Sequence, residues 1–163
     1  MVTWLTSEAN ERLRAELAHL TGPGRADVVA KIEAARDEGD LKENGGYHAA
    51  KEEQGKQEAR VRQLTAFLRD VVTGPPPNAD DLIDQGSIVT ADYGDGDVER
   101  FLFASRENAG EGGKITVGTE VLDVYSPESP IGQAVLGHRA GDVVAFGPRN
   151  LKVTIVAVEP YSA

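Results

Sequence analysis

Residues 47–72 read YHAAKEEQGKQEARVRQLTAFLRDVV, and the spacing inside this stretch decides the fold. Tyr47, Ala50, Gln54, Gln57, Val61, Leu64, Leu68 and Val71 follow one another at alternating steps of three and four. That alternation holds one stripe against a neighbouring helix and is a heptad pattern. The neighbour lies just upstream, where Val28, Ile32, Ala35 and Gly39 repeat at similar spacing from a start near Arg25. Between them EGDLKENGG (38–46) turns the chain, so an antiparallel α-helical coiled-coil hairpin is expected. At about 1.5 Å per residue, a return helix of about 26 residues rises about 39 Å, against about 24 Å for an outgoing helix of about 16. The surplus seam from Val61 to Val71 needs another partner. Leu13, Leu17 and Leu20, on a helix opening at Thr6 or Ser7, supply one.

The seam is not uniform. Near the turn it holds small or polar residues (Ala35, Gly39, Ala50, Gln54, Gln57), while the large aliphatic residues sit at the far end. Such a hairpin is held at its base and slender at its tip, the shape of something that enters a narrow space. A loosely packed end of an ordinary hairpin is the plainer reading of the same residues.

Composition changes at TGPPPNADD (73–81), where consecutive prolines stop any helix and favour an extended spacer. The expected organisation is an N-terminal coiled-coil domain over 1–74, a linker over 75–82, and a second domain over 83–163. In the latter, GSIVTADY (86–93) and VERFLFAS (98–105) flank GDGD as a hairpin, and KITVGTEVLDVYS (114–126) supplies one strand or two. SPIGQAVLG (129–137) has the marks of a short helix, with Ser129 as cap, Pro130 first and Gly137 at the stop. VVAFG (143–147) and LKVTIVAVE (151–159) close the chain as a hairpin. An antiparallel sheet with one short helix makes this half, and the protein, α+β.

The formal net charge of −10 argues against sequence-independent binding to bare nucleic acid. It is unevenly spread: residues 1–74 hold 11 basic and 13 acidic residues, residues 75–163 hold 6 and 14. No apolar run reaches the roughly 18 residues of a membrane span. The start, MVTWLTSEANERL, has neither a basic n-region nor a signal-length apolar stretch, so the expected address is the cytoplasm and no membrane is expected. The absence of cysteine excludes disulfides and cysteine-ligated metal.

The turn carries the chemistry. Glu38, Asp40 and Glu43 lie there, with Lys42 and Asn44 between and beside them. Two carboxylates suit Mg²⁺, which takes one or two protein carboxylates together with waters or phosphates. Acids about 6 Å apart repel by only about 0.7 kcal/mol in water, and by about four times that at an effective dielectric near 20. In solvent the pair is a cheap acidic loop; in a partly dry cleft it needs a cation, as half of a site completed by a partner. The residues alone leave both readings open. Arg36, Lys42, Lys51, Lys56, Arg60 and Arg62 could face a phosphate backbone or simply balance Glu52, Glu53 and Glu58. His19, His48 and His138 fall on separate elements without metal-ligand spacing. DYGDGDVE (92–99) reads as a hairpin turn rather than a calcium loop, and Trp4 and Tyr161 as packing residues.

EAARDEGDLKENGGYHAAKEEQGKQEARVRQL (33–64), with its GDLKEN core and YHAA, strongly resembles the bacterial Gre transcript cleavage factors, of the GreA type. WLTSEANERLRAELAHL at the start and VYSPESPIGQAVLGHRAGDVV near the end match further family patterns. The resemblance implies a coiled-coil domain followed by an FKBP-like domain that docks on the rim of the RNA polymerase secondary channel. Ser129, Pro130 and Gly132, in the second signature, are assigned to that docking. It also implies that the hairpin tip reaches the active centre of a backtracked polymerase, where Asp40 and Glu43 share Mg²⁺ with the enzyme and promote cleavage of the nascent transcript. Arg36 and Lys51 match positions near the RNA 3′ segment, and Lys42 and Asn44 join them as contacts to RNA and channel. On this reading the chain binds no cofactor alone, is a monomer, and is not itself an enzyme. GG at 45–46 and the long ENAGEGGKITVGTEVLD (107–123) depart from the pattern, the first implying a looser exit from the tip, the second an extra turn or strand. A channel-occupying inhibitor of polymerase is the alternative; a chaperone or prolyl isomerase acting through residues 80–163 is a third.

Overall fold

In the computed structural model, residues 2–39, 44–76 and 81–162 are described. They form two compact units, one of residues Asn10–Asp70 and one joining the described residues up to Ala9 to those from Val71 onward.

The first unit is helical. Helix α1 (Ser7–Thr21) opens on Thr6, whose Oγ1 accepts the Ala9 N–H at 3.0 Å. Helix α2 (Pro23–Asp37) follows Gly22 with proline in its first turn, where the missing N–H costs nothing. Helix α3 (Gly45–Phe67) ends in a 3-10 turn, Leu68–Asp70. Helices α2 and α3 make the expected antiparallel hairpin, burying Val28, Ile32 and Ala35 on one side and Ala50 and Leu64 on the other. All eight seam positions expected from 47 to 71 are buried or half-buried. Across the seam, Arg25 grips Glu58 through two contacts of 2.9 and 3.0 Å, and Lys31 meets Glu53 at 3.3 Å. From α1, Leu13 is buried, and Glu16 receives Arg60 of α3 at 2.7 and 3.0 Å.

The return helix is shorter than expected, 23 residues and about 35 Å. Val71–Val72 leave the helical path as strand β2, which pairs in parallel with strand β1 (Thr3–Trp4). With this pairing, residues at both ends of the helical stretch group with the second unit. Its physical basis is amide side chains that serve the N-terminal strand. Gln85 accepts the Trp4 N–H at 3.0 Å and donates to the Val2 carbonyl at 3.0 Å. Asn108 accepts the Thr6 N–H at 2.8 Å and donates to the Trp4 carbonyl at 3.3 Å.

The second unit is built on six strands: β3 (Ser87–Asp92), β4 (Val98–Phe103), β5 (Lys114–Val117), β6 (Glu120–Tyr125), β7 (Val143–Phe146) and β8 (Leu151–Pro160). Their order is β5-β6-β4-β3-β8-β7. Four neighbouring pairs are antiparallel as expected; β4 and β6 run parallel, from Phe101↔Asp123 to Phe103↔Tyr125, so the sheet is mixed. The crossover between them holds two 3-10 turns (Arg106–Asn108 and Glu111–Gly113) and β5, which is the content of the long 107–123 segment. Alternation along the strands gives two apolar faces. Val89, Phe101, Phe103, Val153 and Ile155 pack with Ile131 and Val135 of helix α4 (Pro130–Val135). Ile88, Leu102 and Leu122 pack with Trp4 on the other face, where Trp4 meets Tyr161 edge-on at 5.5 Å.

Candidate functional site

The tip is framed by two described ends. Helix α2 closes with the Ala35 carbonyl accepting the Glu38 N–H at 3.2 Å. Gly39 follows with φ +135°, a left-handed conformation that glycine adopts without strain. Asp40, Leu41, Lys42 and Glu43 lie outside the described residues. The chain resumes at Asn44, the N-cap of α3, whose Oδ1 accepts the Tyr47 N–H at 3.1 Å. Asn44 Nδ2 donates to the same Ala35 carbonyl that serves Glu38. One side-chain amide therefore joins the last turn of α2 to the first turn of α3.

Small residues make this approach possible. Ala34 and Ala35 face Ala49 and Ala50 across a groove of about 320 Å³, with Lys31 and Glu53 also at its wall. Gly45 and Gly46 are the opening residues of α3, so the expected looser exit is instead helical. A Cβ on Gly46 would stand 3.3 Å from Asn44 Oδ1, close to the cap's hydrogen-bonding oxygen.

The other assigned residues are placed as follows. Arg36 and Lys51 are exposed, one near each end of the tip, and Lys51 donates to Gln54 Oε1 at 3.1 Å. Ser129 caps α4: its Oγ accepts the Gly132 N–H at 3.1 Å and donates to the Ser126 carbonyl at 2.7 Å. Pro130 opens that helix and Gly132 is buried. The hairpin tip and the α4 turn belong to different units and form two separate features. The turn at 92–97 is tied by Asp92 Oδ1 to the Gly94 N–H at 2.8 Å, and no group of three or more possible metal ligands occurs among the described residues. No helix among them is long and apolar enough to cross a membrane.

The double role of Asn44 was legible in part. Asparagine before a helical pattern is a strong N-cap signal. Starting the helix at Tyr47 hid it. Its bond to Ala35, across the turn, has no local signature.

Two sequence profiles account for nearly the whole chain: "Transcription elongation factor, N-terminal" matches residues 3–72, and "Transcription elongation factor, GreA/GreB, C-term" matches residues 78–160. The chain belongs to the GreA/GreB transcription elongation factor family. The transcription elongation factor GreA of Streptomyces coelicolor is 50% identical, covering 99% of this chain and 95% of that protein. That of Mycolicibacterium smegmatis is 45% identical over 98% and 96%. Among solved structures, GreA factor homolog 1 of Thermus thermophilus is 26% identical over 98% of this chain and 99% of that one, with a TM-score of 0.42. The GreA/GreB profiles meet between 72 and 78, inside the proline-rich stretch.

Proposed function

We propose that this elongation factor passes its hairpin into the secondary channel of RNA polymerase and stimulates cleavage of the backtracked transcript through Asp40 and Glu43. The observation that supports the reading is the clasped, small-residue end of the hairpin, whose described residues Gly39 and Asn44 flank 40–43 in the sequence. The second unit docks on the polymerase around the α4 turn, and the nascent RNA 3′ end meets the tip.

The donor set fits a hard divalent cation: Asp40 and Glu43 offer carboxylate oxygens only, and no cysteine exists in the chain to favour a softer metal. They would hold Mg²⁺ jointly with groups of the polymerase, the ion supplying charge neutralisation and an activated water. The chain's own contribution is to bring two fixed negative charges to the RNA backbone, accept hydrogen bonds from the attacking water, and exclude bulk solvent with the hairpin. Arg36 and Lys51 offset phosphate repulsion at the two ends of the tip. The phosphodiester chemistry belongs to the polymerase, so the chain acts as a stimulating factor.

Arrested elongation complexes provide the test. Adding the chain shortens the transcript and restores elongation, while Asp40→Ala or Glu43→Ala lowers the cleavage rate by about 10²-fold with polymerase affinity kept. Inhibition of elongation without transcript shortening would mark a channel-occupying regulator instead.

A further inference from the structure

Both ends of the Asn44 amide are engaged within the hairpin. At the C-terminus of a helix the last carbonyls lack intrahelical donors, and at the N-terminus the first N–H groups lack acceptors. Asn44 serves one of each: Oδ1 accepts from Tyr47, and Nδ2 donates to Ala35. Its own carbonyl continues the ladder by accepting the His48 N–H at 3.1 Å. Residues 36–43 are thus bracketed by one side chain, with the Glu38 N–H on the same carbonyl as a second tie on the α2 side. An N-cap alone needs an acceptor, so serine, threonine or aspartate would suffice. The second bond needs a donor as well, which aspartate lacks and which serine and threonine offer only from the same short hydroxyl; asparagine carries acceptor and donor on separate atoms.

We propose that Asn44 is a positioning residue, which fixes the two ends of the tip so that Asp40 and Glu43 are presented together. This rests on the cleavage reading above and goes beyond it by replacing a direct contact of Asn44 with RNA or channel. Well-oriented reacting groups act at high effective concentration, and a misplacement of about 1 Å costs about 10²-fold in rate. The clasp supplies that restraint without touching substrate.

Asn44→Ser keeps an acceptor for the Tyr47 N–H and removes the amide Nδ2 that reaches Ala35, leaving only a shorter hydroxyl; Asn44→Ala removes both groups. Three quantities are read for each: the cleavage rate at saturating factor, the factor concentration giving half that rate, and amide hydrogen exchange at Tyr47 in the free protein. Asn44→Ser is expected to keep Tyr47 protected and its half-saturating concentration unchanged, while the saturated rate falls between about 10- and 100-fold. Asn44→Ala loses Tyr47 protection as well. In an Asp40→Ala background, Asn44→Ser removes no further residual rate, because it acts through the acids. Wild-type cleavage by Asn44→Ser, with a deficit only in Asn44→Ala, would reduce Asn44 to a cap and overturn the proposal. A raised half-saturating concentration, or an additional loss in the Asp40→Ala background, would restore the direct contact and overturn it too. Full cleavage by the Asp40→Ala, Glu43→Ala double variant would instead remove the cleavage reading itself.

Discussion

Gly132 has no room for a side chain: a Cβ would lie 1.9 Å from the Ser126 carbonyl oxygen and 2.8 Å from Ser129 Oγ. Gly132→Ala is expected to destabilise the sheet unit by at least about 1–3 kcal/mol, read as a lower urea midpoint. An unchanged midpoint would show that the α4 turn is not held as described. Glu99 organises a second residue-scale device, its two carboxylate oxygens taking the hydroxyls of Tyr93 at 2.7 Å and Tyr125 at 2.5 Å. Burial first, and then Glu99, push both phenols well above the ordinary 10.0. Between the unfolded and the raised folded value the native state holds protons that the unfolded chain has released. This stabilisation is therefore complete below about pH 10 and is lost as pH rises further. The unfolding midpoint should fall with pH above that point, and fall less steeply in Tyr93→Phe. An equal slope in the variant would exclude the tyrosine as its source.

At the scale of elements, the hairpin's stability lies at its base. Leu64 is almost wholly buried, and Leu64→Ala should cost about 2–5 kcal/mol. The Lys31–Glu53 pair is substantially exposed, and Glu53→Ala should cost less than about 1 kcal/mol. Denaturant unfolding followed by circular dichroism checks both; equal losses would contradict a base-held hairpin. The seam from Tyr47 to Leu68 was readable because heptad spacing is local and burial follows it directly. Val71 satisfies the same spacing and was read as helix, yet it pairs with Thr3, a partner 68 positions away that no local pattern announces. The parallel β4–β6 pair escaped for the same reason, since a strand's sequence pattern does not state its neighbour's direction. Gln85 and Asn108 gave no sign of their duty to residues 2–6, because side-chain to backbone bonds over such separations leave no spacing signal.

For the whole molecule, the proline-rich stretch lies at the division between the two family profiles. Described residues on both sides of it, Val71–Pro76 and those from Asp81 onward, lie within the same compact unit. By contacts the chain passes between units at two places, 9–10 and 70–71, whereas the family profiles divide it between 72 and 78. A short Gly-Ser insertion between Pro77 and Asn78 should leave transcript cleavage and polymerase affinity close to wild type. A large loss in either would show that the length of this stretch is fixed. The tip acids fall outside the described residues, so they were legible only as two carboxylates in a turn and as a match to GDLKEN, while the structure supplies the frame on either side.

The central claim is that this frame delivers Asp40 and Glu43 to the polymerase active centre. Its most direct test is transcript cleavage in backtracked complexes saturated with the Asp40→Ala, Glu43→Ala double variant, with binding to polymerase measured alongside. The expected result is normal binding with cleavage reduced by about 10²-fold or more, to the level of polymerase alone. Normal binding with full cleavage would contradict the account.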